Sequence, residues 1–488
     1  MRIFASNVVW LFVLGGFWCG QCLCPAAELN GTRITNQGLQ GVGRVEASSL
    51  DQMGETFGSV SALAIRDWRL TESGYAGTFL TLPDRGFNMD GFFSDYAARL
   101  HSLSFTFVPV TNRAELVGES KELSHWPQNQ IRVKYESSSR FQFADGHRIT
   151  GLDPGLHSIS LLGAELPFVV TQRLSGVLLP VQRVAVDAEG LALKADGTGW
   201  ISDEYGPNIY HFDRALHVDG VIVPPVDYRP VSATGSFAFT STNDPARGRR
   251  MNQGFEALGL NAAETRLFAL LQSALIQDSG PTPESRRHTR LLVYDVSGKN
   301  VPTGPVGEYV LPLPVIDDTG KGSKSNKTAS QSELVVLNDT QLLVLCRDSS
   351  GLGSGITNPP VFKQVILVDI KEATNLASPR RTNSISPAGV LLSGIKPASW
   401  VEAVDLLSPA DHRRFGFNSS FSSPNRLTFS EKWEGMALVG TTDIDHPERS
   451  TSFFARSAGD GAASTRYTES PLWIISFLPS AVSVNVLM

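Results

Sequence analysis

The sequence contains little cysteine. Three of its four cysteines lie within the first 24 residues, and only Cys346 follows them. A chain with one remaining cysteine forms no internal disulfide bond. Neither cysteine pairs nor histidine pairs occur at zinc-ligand spacing, which argues against a zinc site. Cys346 stands in an apolar stretch and is predicted to be a buried strand residue.

Charge is sparse as well. Charged residues make up 18% of the chain, with 42 Lys and Arg against 48 Asp and Glu and a net charge of −6. This balance excludes nucleic acid as a partner, because nucleic-acid binding needs a basic face. The chain also lacks a Gly-x-Ser-x-Gly nucleophile motif and a phosphate-binding P-loop. A hydrophobic content of 41% indicates a globular protein.

The N-terminus has the pattern of a secretory signal peptide. Met1 and Arg2 precede a short apolar run, residues 8–18, and small residues end at Ala27. The run is too short to span a membrane. We therefore expect a signal peptide over residues 1–27, an extracellular protein without a membrane span, and one domain over residues 28–488. The apolar C-terminus, residues 473–488, is interpreted as a final strand rather than as a lipid-anchor signal.

Four asparagines match the Asn-x-Ser/Thr rule for N-linked glycosylation. They are Asn30, Asn326, Asn338 and Asn418. Asn326 lies in a stretch rich in Lys, Ser and Gly and is the strongest candidate on sequence grounds.

A short pattern recurs along the chain: an acidic residue followed by alternating small and apolar residues. Its copies begin at Ser61, Glu189, Glu256, Glu333, Val401 and Glu434. Most copies are followed by an Asn, Asp or Gly turn and a second apolar segment, which is typical of β-hairpins. Repeated all-β units in one long chain indicate a β-propeller. We predict six blades, with seven as the alternative, and a single short helix over residues 95–103.

The repeat predicts an acidic site. Its glutamates open the predicted innermost strands, so they converge at one mouth of the central channel. The predicted second strands lead into further polar residues, namely Asp84, Arg85, Asp203, Glu204, Gln272, Arg347 and Asp348. Two aspartates, Asp443 and Asp445, follow the last copy of the repeat. Clustered carboxylates coexist only with protons or a cation, and their oxygens suit Ca²⁺ or Mg²⁺. The alternative is that each glutamate holds neighbouring blades together.

Residues 247–250 contain three arginines and are interpreted as a phosphate contact or as a solvated loop.

The motifs together resemble the phytase-like family, also called "esterase-like activity of phytase". The matching stretches are residues 82–88, 150–154, 187–192, 200–207, 252–256 and 270–275. The resemblance runs from Val60 to Asp445. It implies a secreted propeller, a phosphoester-hydrolysing role, and acidic sites at Asp84, Asp153, Glu189, Asp203, Glu204, Glu256 and Glu434. The chain departs from the family pattern around Asp443 and Asp445, and at Cys346, where the family often has Glu.

Two functions remain open. The first is a metal-assisted phosphoric ester hydrolase that acts on a small phosphorylated or esterified substrate as a monomer. Its predicted catalytic residues are Glu189, Glu256, Asp203 and Glu204, its substrate-binding residues are Arg85 and Arg347, and its Ca²⁺ ligands are Asp84, Asp153, Glu434, Asp443 and Asp445. The second is a non-catalytic propeller that binds a glycan, a peptide or a wall component, with calcium in a structural role.

Overall fold

The computed structural model describes most of the chain between residues 26 and 487. The described residues are 26–46, 49–86, 88–89, 92–110, 128–174, 177–317, 326–351, 359–377, 384–425, 427–440, 472–478 and 482–487. Most of the predicted signal peptide, together with Asp443 and Asp445, lies outside them. Within these ranges no helix is long and apolar enough to cross a membrane.

The regular secondary structure of the described chain consists almost entirely of strands. The N-terminal half contains β1 (Ala26–Leu29), β2 (Thr32–Thr35), β3 (Leu39–Val45), β4 (Ala62–Thr71), β5 (Gly74–Leu82), β6 (Asn88–Met89), β7 (Phe92–Phe93), β8 (Arg99–Phe107), β9 (Ile131–Arg140), β10 (Gln142–Phe143), β11 (Ile149–Thr150), β12 (Ser158–Leu161), β13 (Ala164–Leu174), β14 (Val177–Ala185), β15 (Ala188–Leu193), β16 (Gly199–Asp203), β17 (Ile209–Phe212) and β18 (His217–Ile222).

The C-terminal half continues this pattern. It contains β19 (Phe255–Leu260), β20 (Arg266–Leu271), β21 (His288–Asp295), β22 (Gly307–Pro312), β23 (Val315–Ile316), β24 (Lys327–Thr328), β25 (Ser330–Val336), β26 (Gln341–Arg347), β27 (Lys363–Asp369), β28 (Ser399–Asp405), helix α1 (Pro409–Arg414), β29 (Glu434–Gly440), β30 (Leu472–Leu478) and β31 (Val482–Leu487). Short 3-10 helices occupy Val226–Tyr228, Ile276–Asp278, Pro283–Arg287 and Pro387–Gly389.

Six sheets of four or five strands make up the body of the protein. Their strand orders are β4-β5-β8-β9, β11-β14-β13-β12, β15-β16-β17-β18-β10, β19-β20-β21-β22, β25-β26-β27-β28 and β29-β30-β31-β3. The prediction of an all-β propeller is confirmed, and the described residues form six such sheets, of which five line the central ring. In the last sheet β3 pairs with β31, so an N-terminal strand completes a C-terminal sheet, and the predicted final strand is present.

Five of these sheets supply the strand that faces the axis. Among the described strands, β4, β15, β19, β25 and β29 contact one another in that order, and β29 returns to β4. The sheet that contains β14 instead packs behind the junction of β4 and β15. There Val184 shares a hydrophobic cluster with Ala62 and Ala188. The ring is thus closed by five strands, with the sixth sheet wedged against it.

Two local predictions from the sequence were wrong. The helix expected over residues 95–103 is absent: residues 95–98 have no regular structure, and the rest lies in strand β8, where Leu103, Phe105 and Phe107 are buried in alternation with more exposed residues. That alternation is typical of a strand. The repeat copy at Val401 lies in β28, an outer strand of its sheet, and not on the axis. Cys346 is buried in β26, as predicted.

Candidate functional site

The repeated glutamates stand at one end of the ring, where the inner strands begin. Pairing between the inner and second strands shifts register beside each of them: next to Glu189 in β15, Glu256 in β19, Glu333 in β25 and Glu434 in β29. Such bulges turn a side chain away from the regular alternation of a strand. The first sheet has Ser61 at the corresponding place, and its own register shift lies elsewhere, between Arg66 and Arg69.

The ends of the second strands meet the same end of the ring. Antiparallel pairing places Asp203 opposite Ala188 and Arg347 opposite Ser330. Leu82, the last residue of β5, pairs with Ala62, so Asp84 and Arg85 follow directly. The structure therefore brings together polar residues that the sequence separates by hundreds of positions.

Three carboxyl groups form the centre of this site. One oxygen from each of Asp187, Glu189 and Glu204 lies within 4.8 Å of the others, and all three residues are buried. Glu256 lies beside Glu204 and is held by Gln272, whose Nε2 donates to its Oε1 at 2.6 Å. Among the described residues, no N–H or hydroxyl group reaches either oxygen of Glu204 or Oε2 of Glu256. The carboxyls of Glu204 and Glu256 are within hydrogen-bonding distance of each other, so a proton can be shared between them. We call Asp187, Glu189, Glu204 and Glu256 the acid cluster.

Burial and mutual repulsion raise the pKa values in the acid cluster. For Glu189 burial acts first, and the nearby carboxyls of Glu256, Glu204 and Asp187 add to it, so its pKa is raised well above the ordinary value. Burial likewise raises the pKa of Glu256, and Glu204 adds to the effect. Burial and then Asp187 raise the pKa of Glu204 to about 7. These groups are therefore short of positive charge.

Arg85 joins the acid cluster to the first sheet. Its Nε lies 2.6 Å from Oδ2 of Asp187, and its guanidinium also donates to Asn252 at 2.5 Å and stacks over the ring of Tyr205. Burial would lower the pKa of Arg85, but Asp187 raises it above the ordinary value. The contacts with Asp187 and Tyr205 are buried, whereas Asn252 is exposed.

A second group of charges lies between the last sheet and its neighbours. Arg347 donates from Nη2 to Oε1 of Glu434 at 2.7 Å and from Nε to Ser332 at 2.7 Å. Nζ of Lys432 lies 3.2 Å from Oδ2 of Asp84 and 3.5 Å from Oε1 of Glu434. Burial alone would raise the pKa of Asp84, but Lys432 and hydrogen bonds hold it below the ordinary value.

Glu333 connects inner strands directly. Its carboxylate accepts from the backbone N–H of Leu334 at 2.9 Å and from the N–H groups of Met436 and Leu63. Three strands of the ring therefore meet at one side chain. The repeated glutamates thus divide into two kinds: Glu333 and Glu434 join blades, whereas Glu189 and Glu256 belong to the acid cluster.

Two of the predicted acidic site residues organise loops instead. Asp203 accepts from the N–H groups of Asp187, Tyr205 and Gly206 at 2.7–3.1 Å. Asp153 lies outside the acid cluster: its Oδ1 accepts from the N–H of Gly155, and its Oδ2 accepts from three groups in residues 240–241. Both carboxylates have their hydrogen-bonding capacity largely filled.

The arginine-rich stretch, residues 247–250, is part of the framework. The guanidinium of Arg249 is buried and donates five hydrogen bonds to backbone carbonyl oxygens. Two of these bonds go to the carbonyl of Tyr205. Arg250 pairs with Asp244 at 3.1 Å, and Arg247 pairs with Asp227 at 3.4 Å. These contacts give no support to a phosphate contact here.

The four glycosylation candidates differ in environment. Asn30 is exposed in the turn between β1 and β2. Nδ2 of Asn418 donates to both the carbonyl of Ser423 and Oγ1 of Thr428. Asn338 holds a turn through its Oδ1, and Asn326 is partly buried.

The sequence reasoning left two residues of the site unassigned. Asp187 and Lys432 each stand two positions before a repeated glutamate, outside the repeat itself. Asp187 lies in one of the stretches that carry the family resemblance, so its place in a motif was visible. Nothing in the local sequence of Lys432 indicated that its side chain reaches an aspartate of the first sheet.

Comparison with known proteins shows a family match over most of the chain. Residues 55–447 match the family described as "Phytase-like: Esterase-like activity of phytase". A protein of Arthroderma benhamiae described as an uncharacterized secreted protein is 31% identical over 435 residues, covering 82% of this chain and 81% of that protein. That relative's location agrees with the extracellular location predicted from the sequence.

Solved structures give weaker similarities. The Malassezia sympodialis allergen Mala s 1 covers 94% of this chain and 90% of its own, with 11% identity and a TM-score of 0.32. A puromycin-hydrolyzing peptidase of Mycobacterium tuberculosis covers 74% of this chain and 46% of its own, with 12% identity and a TM-score of 0.22. Scores of this size carry no argument about function.

Proposed function

The chain belongs to the phytase-like family, and we propose that it is a secreted, metal-assisted phosphoric ester hydrolase that acts at the acidic end of the ring. One observation supports this most strongly. The buried acid cluster contains three oxygens, both of Glu204 and Oε2 of Glu256, that no described N–H or hydroxyl group satisfies, and its carboxyls of Glu204 and Glu256 contact each other. Buried carboxylates without partners are costly, so a ligand that supplies positive charge fits here.

The charge balance supports a divalent cation. Four cations, Arg85, Arg249, Arg347 and Lys432, lie among eight carboxyls: Asp84, Asp187, Glu189, Asp203, Glu204, Glu256, Glu333 and Glu434. Asp187, Glu189 and Glu204 are the residues that would hold Ca²⁺, because their oxygens converge and Ca²⁺ prefers carboxylate oxygens. The ion would keep these acids ionised, polarise a phosphoryl oxygen and lower the pKa of a water molecule.

Glu256 is the best-placed proton acceptor. Gln272 holds its Oε1, no described N–H or hydroxyl group reaches its Oε2, and its carboxyl contacts Glu204 of the cluster. In the proposed reaction the water oxygen bonds to phosphorus while its proton passes to Glu256. The ester P–O bond breaks, its electron pair moves to the leaving oxygen, and that oxygen takes a proton from a second water molecule. The hydroxide formed takes the proton from Glu256, which restores the carboxylate. Glu189 faces the same space and is the alternative acceptor.

A specific observation also favours the second function. Glu189, Glu204 and Asp187 are each at most 5% exposed. A cation enclosed to this degree fits a structural role, in which calcium joins the blades of a propeller that binds a glycan, a peptide or a wall component. Catalysis and structural binding make the same prediction about calcium and opposite predictions about turnover.

The test is a hydrolysis assay on the purified protein with a panel of phosphomonoesters, phosphodiesters and carboxylic esters, with calcium and with EDTA. We expect calcium-dependent phosphoester hydrolysis that the double variant Glu189→Gln/Glu256→Gln lacks. The matched control is Glu136→Gln/Glu372→Gln, which changes two exposed glutamates. Full activity in a folded Glu189→Gln/Glu256→Gln protein would rule out the assignment. Calcium binding without turnover of any substrate would favour the binding protein.

A further inference from the structure

The cations around the acid cluster, which include the buried Arg249, differ in exposure. The side chains of Arg85 and Arg347 are 2% and 7% exposed, whereas that of Lys432 is 36% exposed. Part of the Lys432 side chain is therefore open to solvent, while its ammonium lies among the charges of Glu434 and Asp84. The ion pairs of both arginines are buried, although Nη2 of Arg85 also donates to the exposed Asn252.

The contacts of these residues also distinguish Lys432 from the two arginines. The guanidinium of Arg85 is shared between Asp187, Asn252 and the ring of Tyr205, and that of Arg347 between Glu434 and Ser332. These contacts fix planar groups between sheets. The ammonium of Lys432 has three rotatable donors, and its two ion pairs are longer, at 3.2 and 3.5 Å.

Lys432 also occupies a central place among the charges. It contacts Asp84 of the first sheet and Glu434 of the last. Its charge also acts on Glu189, Glu204 and Glu256, which lie on or beside inner strands β15 and β19. An anionic group bound by Lys432 would therefore be held close to the acid cluster, where the reaction is proposed to occur.

We propose that Lys432 binds the anionic phosphoryl group of the substrate, and that Arg85 and Arg347 hold blades together. The inference rests on the proposed function for the identity of the substrate. It assigns to Lys432 the role that the sequence suggested for the two arginines. Its test measures binding of a phosphoryl group, which does not require turnover.

The probe is methylphosphonate, a phosphate-ester mimic that the protein cannot hydrolyse by breaking a P–O ester bond. Its binding is measured by titration calorimetry in the presence of calcium. We expect Lys432→Gln to weaken binding at least tenfold and Lys432→Arg, which keeps the charge, to weaken it no more than threefold. Lys396→Gln is the matched control, because it removes the same charge from an exposed surface ion pair. Wild-type affinity in Lys432→Gln would overturn the proposal.

A second variant keeps the test decisive if Lys432→Gln does not fold. Asp84→Asn removes one carboxylate that competes for the ammonium of Lys432, so methylphosphonate should bind more tightly. Unchanged or weaker binding in Asp84→Asn would contradict the proposal.

The proposed hydrolase activity and the proposed role of Lys432 can fail independently of each other. Binding through Lys432 without hydrolysis of any ester defeats the hydrolase, whereas hydrolysis with an unchanged KM in Lys432→Gln defeats the role of Lys432.

Discussion

Nε of Arg85 lies 2.6 Å from Oδ2 of Asp187, and both side chains are 2% exposed. This ion pair joins the loop after β5 to the start of inner strand β15. It also orients one member of the acid cluster. The same contact therefore bears on both the stability of the ring and the geometry of the site.

Loss of this pair should be costly. In Arg85→Met the carboxylate of Asp187 stays buried without its partner, and we expect the free energy of unfolding to fall by about 3–5 kcal/mol. Lys396→Met breaks an exposed pair with Glu372 and should cost less than about 1 kcal/mol. Urea unfolding of the two variants measures the difference. Equal losses would show that the Arg85 pair does not hold the sheets together.

Close packing between inner strands gives a second prediction. A Cβ atom on Gly190 would lie 2.6 Å from the backbone nitrogen of Leu258 in the next blade. Gly190→Ala should therefore destabilise the protein by about 1–3 kcal/mol through overpacking. Gly298→Ala is the control, since nothing lies within 4 Å of its added Cβ. A thermal melt that shows no loss for Gly190→Ala would refute this account of blade packing.

The dependence of stability on pH should include a contribution from His101. Burial, opposed by the carbonyl of Phe57 and aided by Arg99, lowers its pKa from 6.5 to about 4. The unfolded chain therefore binds a proton before the folded protein does. The stabilisation is complete above pH 6.5 and disappears as the pH falls through about 4, a loss of about 3 kcal/mol.

His101→Gln removes this dependence. The free energies of unfolding of the wild type and the variant should converge as the pH is lowered from 7 to 4, because the variant has no imidazole to protonate. Urea unfolding at several pH values checks this. A difference that stays constant over the range would mean that His101 is not the group responsible.

Glycan occupancy should follow exposure of the residue and the number of its amide hydrogens already in use. Asn30 is exposed, and its Nδ2 donates once, to Oδ2 of Asp369 at 3.1 Å, so one amide hydrogen is left and we expect Asn30 to carry a glycan. Both amide hydrogens of Asn418 are used within its loop, and a glycan would replace one of them. Peptide mass spectrometry after enzymatic deglycosylation of the secreted protein reports each site. Full occupancy of Asn418 with Asn30 unmodified would contradict this ranking.

The sequence predicted the fold and the end of the ring where the charges gather, because the repeat at Glu189, Glu256 and Glu434 is local. It could not predict how those glutamates divide. Glu434 pairs with Arg347, whereas no cation in the described part of the chain forms an ion pair with Glu189, and this depends on which loops face each other. Burial of individual cations is equally a property of the assembled ring. Lys432 was therefore overlooked, and Arg85 was given a substrate role that its buried contacts do not favour.

Calcium binding tests the central claim most directly. Protein stripped with EDTA is titrated with Ca²⁺ in a calorimeter and then melted, alongside Glu204→Gln and the control Glu372→Gln. We expect the wild type and the control to bind one ion and to gain about 2.7 kcal/mol of stability at calcium one hundredfold above Kd. Glu204→Gln should bind at least tenfold more weakly. A wild type that neither binds calcium nor gains stability would show that the acid cluster is neutralised by protons, and the metal-assisted account would be wrong.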